Sequence, residues 1–432
     1  MSEHYDVLVV GAGPAGLAAA RAAASHGRRV ALIDAAPRAG GQVWRHDVRR
    51  AAPRAAHRAF AGLDGSIERL YGHSVIAALP QALLVESDHG ARRLAYAALV
   101  LATGARELLL PFPGWTLPGV SGAGGLQALA KQGAPVAGKR VVVAGSGPLL
   151  LAVAATLRAH GAHVLGIHEQ ASRASIASFA SGLWRWPARA VQALALRTRL
   201  AGIPYHTGTF VRTASGDPTL QAVEIVTRGG TRRVACDLLA VGYGLVPNTE
   251  LAELLGCALQ VGVTHPGVLT DTLGQTSVPG VFAAGELCGI GGLAPARVEG
   301  AIAGHAAADA AAAASALQPR RDRARRFAAH LSRHFALDPR IRALATPDTL
   351  MCRCEDVPLG ALDSFHDARA AKLATRCGMG ACQGRICGSA LAELGRFPRG
   401  PARPPLFPAR LDSLMLAAGE APFTFHQRGS SP

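Results

Sequence analysis

The chain has 432 residues, about three domains' worth at the usual ~150 residues each. Apolar residues make up 49 % and charged residues 17 %, which supplies sizeable cores and argues against disorder. The 45 basic against 29 acidic residues give a net charge of +16, and because lysine occurs only at Lys131, Lys139 and Lys372 the excess is nearly all arginine. An arginine bias beside so much alanine fits a GC-rich genome as well as it fits a polyanion, so nucleic-acid binding is disfavoured while an acidic protein partner is not.

The longest uncharged run, Val141 to Leu157, contains Gly145, Gly147 and Pro148, so it breaks into strand, turn and helix, and no transmembrane segment is expected. The opening Met1-Ser-Glu-His-Tyr-Asp6 lacks the basic stretch of a signal peptide, and a cytoplasmic location is expected. Five of the eight cysteines lie between Cys352 and Cys387. In a reducing compartment such a cluster means metal or redox chemistry rather than a disulfide framework.

In chain order, the apolar run Tyr5–Val10 predicts a strand that ends in Gly11-Ala12-Gly13-Pro14-Ala15-Gly16. An alanine-rich helix follows to about His26, then a second strand from Arg29 that ends at Asp34. This is the dinucleotide fingerprint in its required context. Gly11 permits the tight turn, Gly13 lets a pyrophosphate approach the backbone, Gly16 allows close helix–strand packing, and Asp34 accepts hydrogen bonds from a ribose. The helix amino end supplies unpaired N–H groups for the phosphates.

A second unit follows the same order. Strand Arg140–Ala144 leads into Gly145-Ser146-Gly147-Pro148-Leu149-Leu150, a helix to about His160, and strand His163–His168 tipped by Glu169. Leu150 stands where the third glycine belongs and should push the helix off the strand. Two readings stand: a second nucleotide site that takes ATP or NAD through Gly145, Gly147 and Glu169, or a retained scaffold whose nicotinamide site has decayed.

Leu99–Ala105 predicts a strand through Ala102-Thr103-Gly104, and Val278–Glu286 a short buried strand that ends in Gly285-Glu286. With these segments the chain resembles the two-dinucleotide-binding-domain flavoproteins, the group that contains thioredoxin reductase and ferredoxin reductases. The resemblance implies FAD, with Thr103 and Gly104 beside the flavin nucleotide, Gly41 and Gln42 in a flavin-side loop, and Gly285-Glu286 at the ribityl chain, where Glu286 replaces the family's Asp. It also implies a discontinuous FAD domain, about 1–110 and 246–315, with a second nucleotide-binding domain inserted at 111–245. Residues 111–235 contain no cysteine, so disulfide reduction is not expected, and Cys288 reads as a small packed residue. Residues 316–348 read as a solvated basic linker helix. His330 and His334 lie one turn apart there without the Glu of a zinc-protease motif.

Met351-Cys352-Arg353-Cys354 and Arg376-Cys377-Gly378-Met379-Gly380-Ala381-Cys382-Gln383-Gly384-Arg385-Ile386-Cys387 form a CxC and a CxxxxC pair. Four thiolates hold a [2Fe–2S] cluster, with zinc as the competing occupant although CxC is cramped for it. The segment 349–400 resembles the bacterioferredoxin-associated-ferredoxin-like domain, and the resemblance makes Cys352, Cys354, Cys382 and Cys387 the ligands and Cys377 a non-ligand. A Pro-rich tail, 401–432, closes the chain, and its segment Arg403–Pro408 is expected to run extended across a surface, of this chain or of a partner. The expected fold is thus α/β, with two Rossmann-like dinucleotide-binding domains in a thioredoxin-reductase-like arrangement plus a small C-terminal ferredoxin-like domain.

The whole order, together with Gly242-Tyr243-Gly244-Leu-Val-Pro247-Asn248-Thr249, resembles the alpha-type subunits of heteromeric amine and imino-acid dehydrogenases. That group includes D-hydroxyproline dehydrogenase, opine oxidase and hydrogen cyanide synthase. The resemblance implies a beta-type flavoprotein partner that oxidises the substrate, a further small ferredoxin-like subunit, and electron transfer through this chain to a quinone, with peripheral membrane contact, or to another acceptor. No catalytic base is assigned in this chain, because amine oxidation by hydride transfer needs positioning more than acid–base groups. A self-sufficient NAD(P)H-dependent reductase and a non-enzymatic cluster carrier are the other two classes.

Overall fold

The computed structural model describes residues 3–418 apart from positions 62 and 64. The first fingerprint sits on a seven-stranded sheet. Its parallel part runs Ile67–Tyr71, Val30–Asp34, Glu3–Val10, Gly90–Leu101, with Val281–Ala283 paired to the end of the last of these. Ala82–Ser87 and Ser74–Leu79 extend the other half of the long strand antiparallel. Val7, Leu8 and Val9 are all buried, as a parallel sheet covered on both faces requires.

One of those covers is a pair of helices, Pro14–Ala24 and Leu293–Ala307, built almost wholly from small residues. A Cβ at Gly300 would lie 2.0 Å from the Ala15 carbonyl oxygen, and one at Gly304 would lie 2.2 Å from that of Ala19. The two helix backbones therefore touch, and this holds the amino end of the fingerprint helix in position.

The second fingerprint sits on an all-parallel sheet ordered Tyr205–Thr207, His163–Glu169, Arg140–Gly145, Leu238–Gly242, Val120–Gly122, beside an antiparallel trio, Phe210–Ser215, Ala222–Thr227 and Gly230–Ala235. The chain leaves the first sheet and returns to it through one antiparallel ribbon, Ala105–Glu107 against Leu245–Pro247. Leu150, at the third glycine position, is buried in the second unit's core with Val141, Val143 and Ala240, so the helix packs through a leucine instead of through bare backbone.

The cysteine-rich segment is not loosely appended. Met351, Cys352, Cys387 and Leu391 belong to the same apolar cluster as Phe112, Trp115, Val223 and Leu239 of the second unit. The Trp115 indole N–H donates to the Leu350 carbonyl at 2.7 Å.

One expectation needs correction. The basic helix, Gln318–His334, is not simply solvated: the buried His330 ring stacks on Phe179 (5.1 Å) and Trp186 (5.3 Å), because every third or fourth residue of the helix faces the second unit. The tail segment Arg403–Pro408 has no helix or strand and packs on a surface of this chain. Leu406 is buried and its N–H donates to the Ile76 carbonyl, after which Leu411–Ala418 is helical. It thus lies on the chain's own first sheet; residues 419–432 of the tail lie outside the described residues. Among the described residues no helix is long and apolar enough to cross a membrane.

Replacing Gly300 by Ala should cost about 1–3 kcal/mol by forcing the two helices apart, and it should weaken flavin retention with it. Thermal unfolding and the flavin content of the purified variant check this, and unchanged values for both would show that the helices separate freely.

Candidate flavin and cysteine sites

At the first fingerprint every predicted glycine has a geometric reason. Gly11 has φ +106°, and a Cβ there would lie 2.3 Å from the Ala102 carbonyl oxygen; one at Gly16 would lie 1.7 Å from that of Gly11. Gly13 differs: only Gly41 Cα comes within 4 Å of its added Cβ, so the space in front of it stays open. Pro14 and Ala15 begin the helix, and Gly13 at its cap makes no side-chain hydrogen bond to the first-turn amides. A gap bounded only by backbone beside uncapped helical N–H groups fits a pyrophosphate.

The flavin-side loop closes over this turn. The Gly40 N–H donates to the Ala12 carbonyl at 2.8 Å, and a Cβ at Gly41 would lie 2.9 Å from Gly13 Cα. Gln42 accepts from the Arg45 guanidinium at 2.8 Å. Asp34 accepts from the N–H groups of Ala12 (2.6 Å) and Ala36 (2.8 Å), which fixes its carboxylate at the end of the second strand.

Thr103 and Gly104 lie at the crossover. The Thr103 hydroxyl donates to the Asn248 carbonyl at 2.7 Å, the Asn248 side-chain amide donates back to the Thr103 carbonyl at 2.9 Å, and the Asn248 N–H reaches the Gly104 carbonyl. Gly285 (φ +81°) packs against Ala15, so the second acid-bearing turn abuts the fingerprint helix. Glu286 points at backbone: Oε1 accepts from the Gly292 N–H at 3.0 Å, and burial holds its carboxyl above the usual range.

Sequence reasoning missed three groups here. Glu299, buried under Gly285, accepts from its N–H at 3.2 Å and pairs with Arg325 of the linker helix, whose Nη2 lies 2.7 Å from Oε2. Arg106, buried by its surroundings, donates to Asn248 Oδ1 (2.8 Å), pairs with Glu250 (2.9 Å) and donates to the Arg385 carbonyl (3.2 Å) between Cys382 and Cys387. Arg399 of the C-terminal segment pairs with Glu253. The only sequence signal for these was a charged residue inside an apolar context, and such a residue finds its partner only through the fold.

All five clustered cysteines come together. The sulfurs of Cys352, Cys377 and Cys387 lie within 4.8 Å of one another and all three residues are buried; the Cys382 thiol touches those of Cys387 and Cys354. A Cβ at Gly380 would lie 2.1 Å from Cys354 Cβ, so glycine is required there for the two cysteine-bearing turns to meet. Five thiols in one pocket suit a thiophilic metal centre. Cys377, set apart on sequence, is in the innermost group. Burial pushes the Cys288 thiol up to about 12, which suits a packed, unreactive cysteine.

The second fingerprint has similar backbone but a different occupant. Gly145 (φ +142°) lets the turn press on Gly242, and the Gly147 N–H donates to Glu169 Oε2 at 2.7 Å. Across this turn lies the end of the linker. The Ser146 hydroxyl donates to the Phe335 carbonyl at 2.9 Å, the Gln170 amide donates to the Ala336 carbonyl at 2.8 Å, and Gln170 Oε1 accepts from the Asp338 N–H at 2.7 Å. The Phe335 ring stands 3.8 Å from where a Cβ on Gly147 would be.

Glu169 itself is fully buried, and burial pushes its carboxyl up to about 7. The fold thus favours the protonated acid: its contribution is whole below the ordinary value of 4.5 and is lost as pH rises to about 7. We expect the melting temperature to fall between about pH 5 and pH 8, by on the order of 3 kcal/mol of stability from this group, with a smaller fall in Glu169→Gln. Calorimetry across that range checks it, and parallel curves for the two proteins would contradict it.

Residues 5–312 match the family pattern of pyridine nucleotide-disulphide oxidoreductase. The chain is 34 % identical to hydrogen cyanide synthase subunit HcnB of Pseudomonas aeruginosa, over 88 % of this chain and 90 % of that protein. It is also 34 % identical to an opine oxidase subunit from Rhizobium meliloti, over 90 % of this chain and 92 % of the relative. Among solved structures, L-proline dehydrogenase from P. horikoshii superposes with a TM-score of 0.69 at 18 % identity, covering 96 % of this chain and 80 % of that one, a likeness of fold. The chain belongs to the pyridine nucleotide-disulphide oxidoreductase family and is an FAD-dependent oxidoreductase.

Proposed function

We propose that this chain is the flavin- and iron–sulfur-carrying subunit of a heteromeric amine or imino-acid dehydrogenase, with D-hydroxyproline as the substrate and an opine or glycine as the alternatives. A beta-type flavoprotein partner oxidises the C–N bond to an imine, and this chain relays the electrons to a quinone or other acceptor. Peripheral membrane contact and a small ferredoxin-like subunit belong to the same reading. The single observation that carries it is the Arg106 bridge: one guanidinium joins Asn248, which locks Thr103 at the flavin side, to the Arg385 carbonyl inside the cysteine cluster. HcnB and the opine oxidase relative, both named as subunits of larger enzymes, support a partner chain.

FAD, when bound, accepts and gives up electron pairs, and a [2Fe–2S] centre handles them singly. The chain's own residues supply the seats. Gly11, Gly13 and Gly16 shape the phosphate gap, Asp34 is the ribose acceptor, and Thr103, Gly285 and Glu286 border the flavin side. Cys352, Cys354, Cys382 and Cys387 would hold the cluster, with Cys377 as a fifth thiol behind Cys387. The buried Arg106 and the Arg399–Glu253 pair keep the two seats at fixed separation.

The second fingerprint supports the retained-scaffold reading. Phe335 to Asp338 lie along the turn from Ser146 to Gln170, where a dinucleotide lies in a unit of this type, and each hydrogen bond there is made by the chain itself. A nicotinamide donor then has no seat, which favours an electron source in a partner chain.

Two outcomes follow. Anaerobic NADH should leave the flavin absorbance of the purified chain unbleached, and stoichiometric bleaching would favour the self-sufficient reductase. Cys382→Ser should lose the cluster's visible absorbance, its iron and acceptor reduction, whereas Cys377→Ser should keep all three. Zinc in place of iron, or the reverse pattern between the two variants, would overturn the ligand assignment.

A further inference from the structure

A cleft of about 660 Å³ runs between the fingerprint helix, its partner Leu293–Ala307 and the linker helix, and two smaller hollows continue it at either end. Its walls carry Arg21, Arg58, Arg189, Arg297, Arg320 and Arg323, contributed by five different helices, and no acidic residue lines any of the three. The floor is made of small apolar groups, Ala18, Ala294 and Val298 among them, which leave depth.

None of the six arginines pairs with a carboxylate among the described residues. On the linker helix the paired and unpaired guanidinium groups lie side by side. Arg321 pairs with Asp322 and Arg325 with Glu299, while Arg320 and Arg323, one turn apart on the cleft side, have no such partner. Converging guanidinium groups repel one another, a cost that an assembled complex removes by supplying the carboxylates. The helix that carries Arg189, Pro187–Arg199, has no buried residue.

We propose that this cleft is the seat of an acidic segment of a partner subunit, with carboxylates on the arginine walls and small apolar contacts on the floor. The inference rests on the reading of the chain as one member of a heteromer. A flat lipid surface reaches the rim arginines but not an alanine floor between helices, and this concavity favours a protruding chain segment.

The test uses the full FAD-loaded chain and a fluorescein-labelled peptide of glutamate, alanine and leucine, followed by fluorescence anisotropy at moderate salt. The double variant Arg297→Glu/Arg320→Glu should weaken binding by about tenfold or more. Arg228→Glu/Arg233→Glu, exposed on the antiparallel trio and equal in charge change, should weaken it by less than about twofold. Flavin spectrum and melting temperature should match wild type in both. Equal weakening by the two pairs would mean that binding follows net charge and would overturn the proposal. So would absence of binding by wild type, or tighter binding of a single-stranded oligonucleotide at the same arginines. Because no electron transfer is read, failure of the relay reading shows in the NADH and cysteine experiments, and failure of the cleft shows here.

Discussion

The largely shielded guanidinium of Arg106 is the interaction on which the rest of the architecture turns. A charge withdrawn from water is tolerated only when its hydrogen bonds are made, and Arg106 spends its donors on Asn248, Glu250, the Arg385 carbonyl and Ser389. Those partners belong to the crossover ribbon, the helix that follows it and the cysteine segment. Removing the group would leave Glu250 half-compensated and three segments without their common contact. The crossover and the cysteine pocket therefore share one side chain as a common contact.

Two copies of one supersecondary unit meet different fates in this chain, and the difference is one of packing. In the first, Gly300 and Gly304 bring two helices to backbone contact and leave the space before Gly13 open. In the second, Leu150 fills the place of the third glycine, and Ser146 and Gln170, whose polar groups border the turn, are satisfied by Phe335, Ala336 and Asp338. A polar turn paired with the chain's own backbone has already spent the donors that a phosphate would take. The same contacts anchor the linker and carry it to the cysteine segment.

Much of the site was legible because its signals are local. The glycine spacing, the acid at a strand end and the paired cysteine motifs state backbone and ligand requirements within a few residues, and Gly11, Gly16, Gly145 and Gly380 stand where only hydrogen fits. Less legible were positions whose meaning is non-local. His330 reads as a solvated linker residue in sequence and is a buried aromatic contact in the fold. Glu286, expected at the ribityl chain, accepts from the Gly292 N–H, a contact that no local pattern announces. Cys377 reads as a non-ligand in sequence and has its sulfur within 4.8 Å of those of Cys352 and Cys387, because the turn that carries it folds back over Cys387.

By itself the sequence determined the α/β class, both strand–turn–helix units and the set of cysteines, since each follows from short-range periodicity and steric permission. Only the tertiary structure decided that the cysteine segment shares a core with the second unit, that the second glycine turn is covered by Phe335, and that six arginines from five helices face one cleft without carboxylate partners. Those are relations between residues tens to hundreds of positions apart. Burial, charge pairing and occlusion are properties of what surrounds a side chain, and the surroundings exist only once the chain has closed on itself.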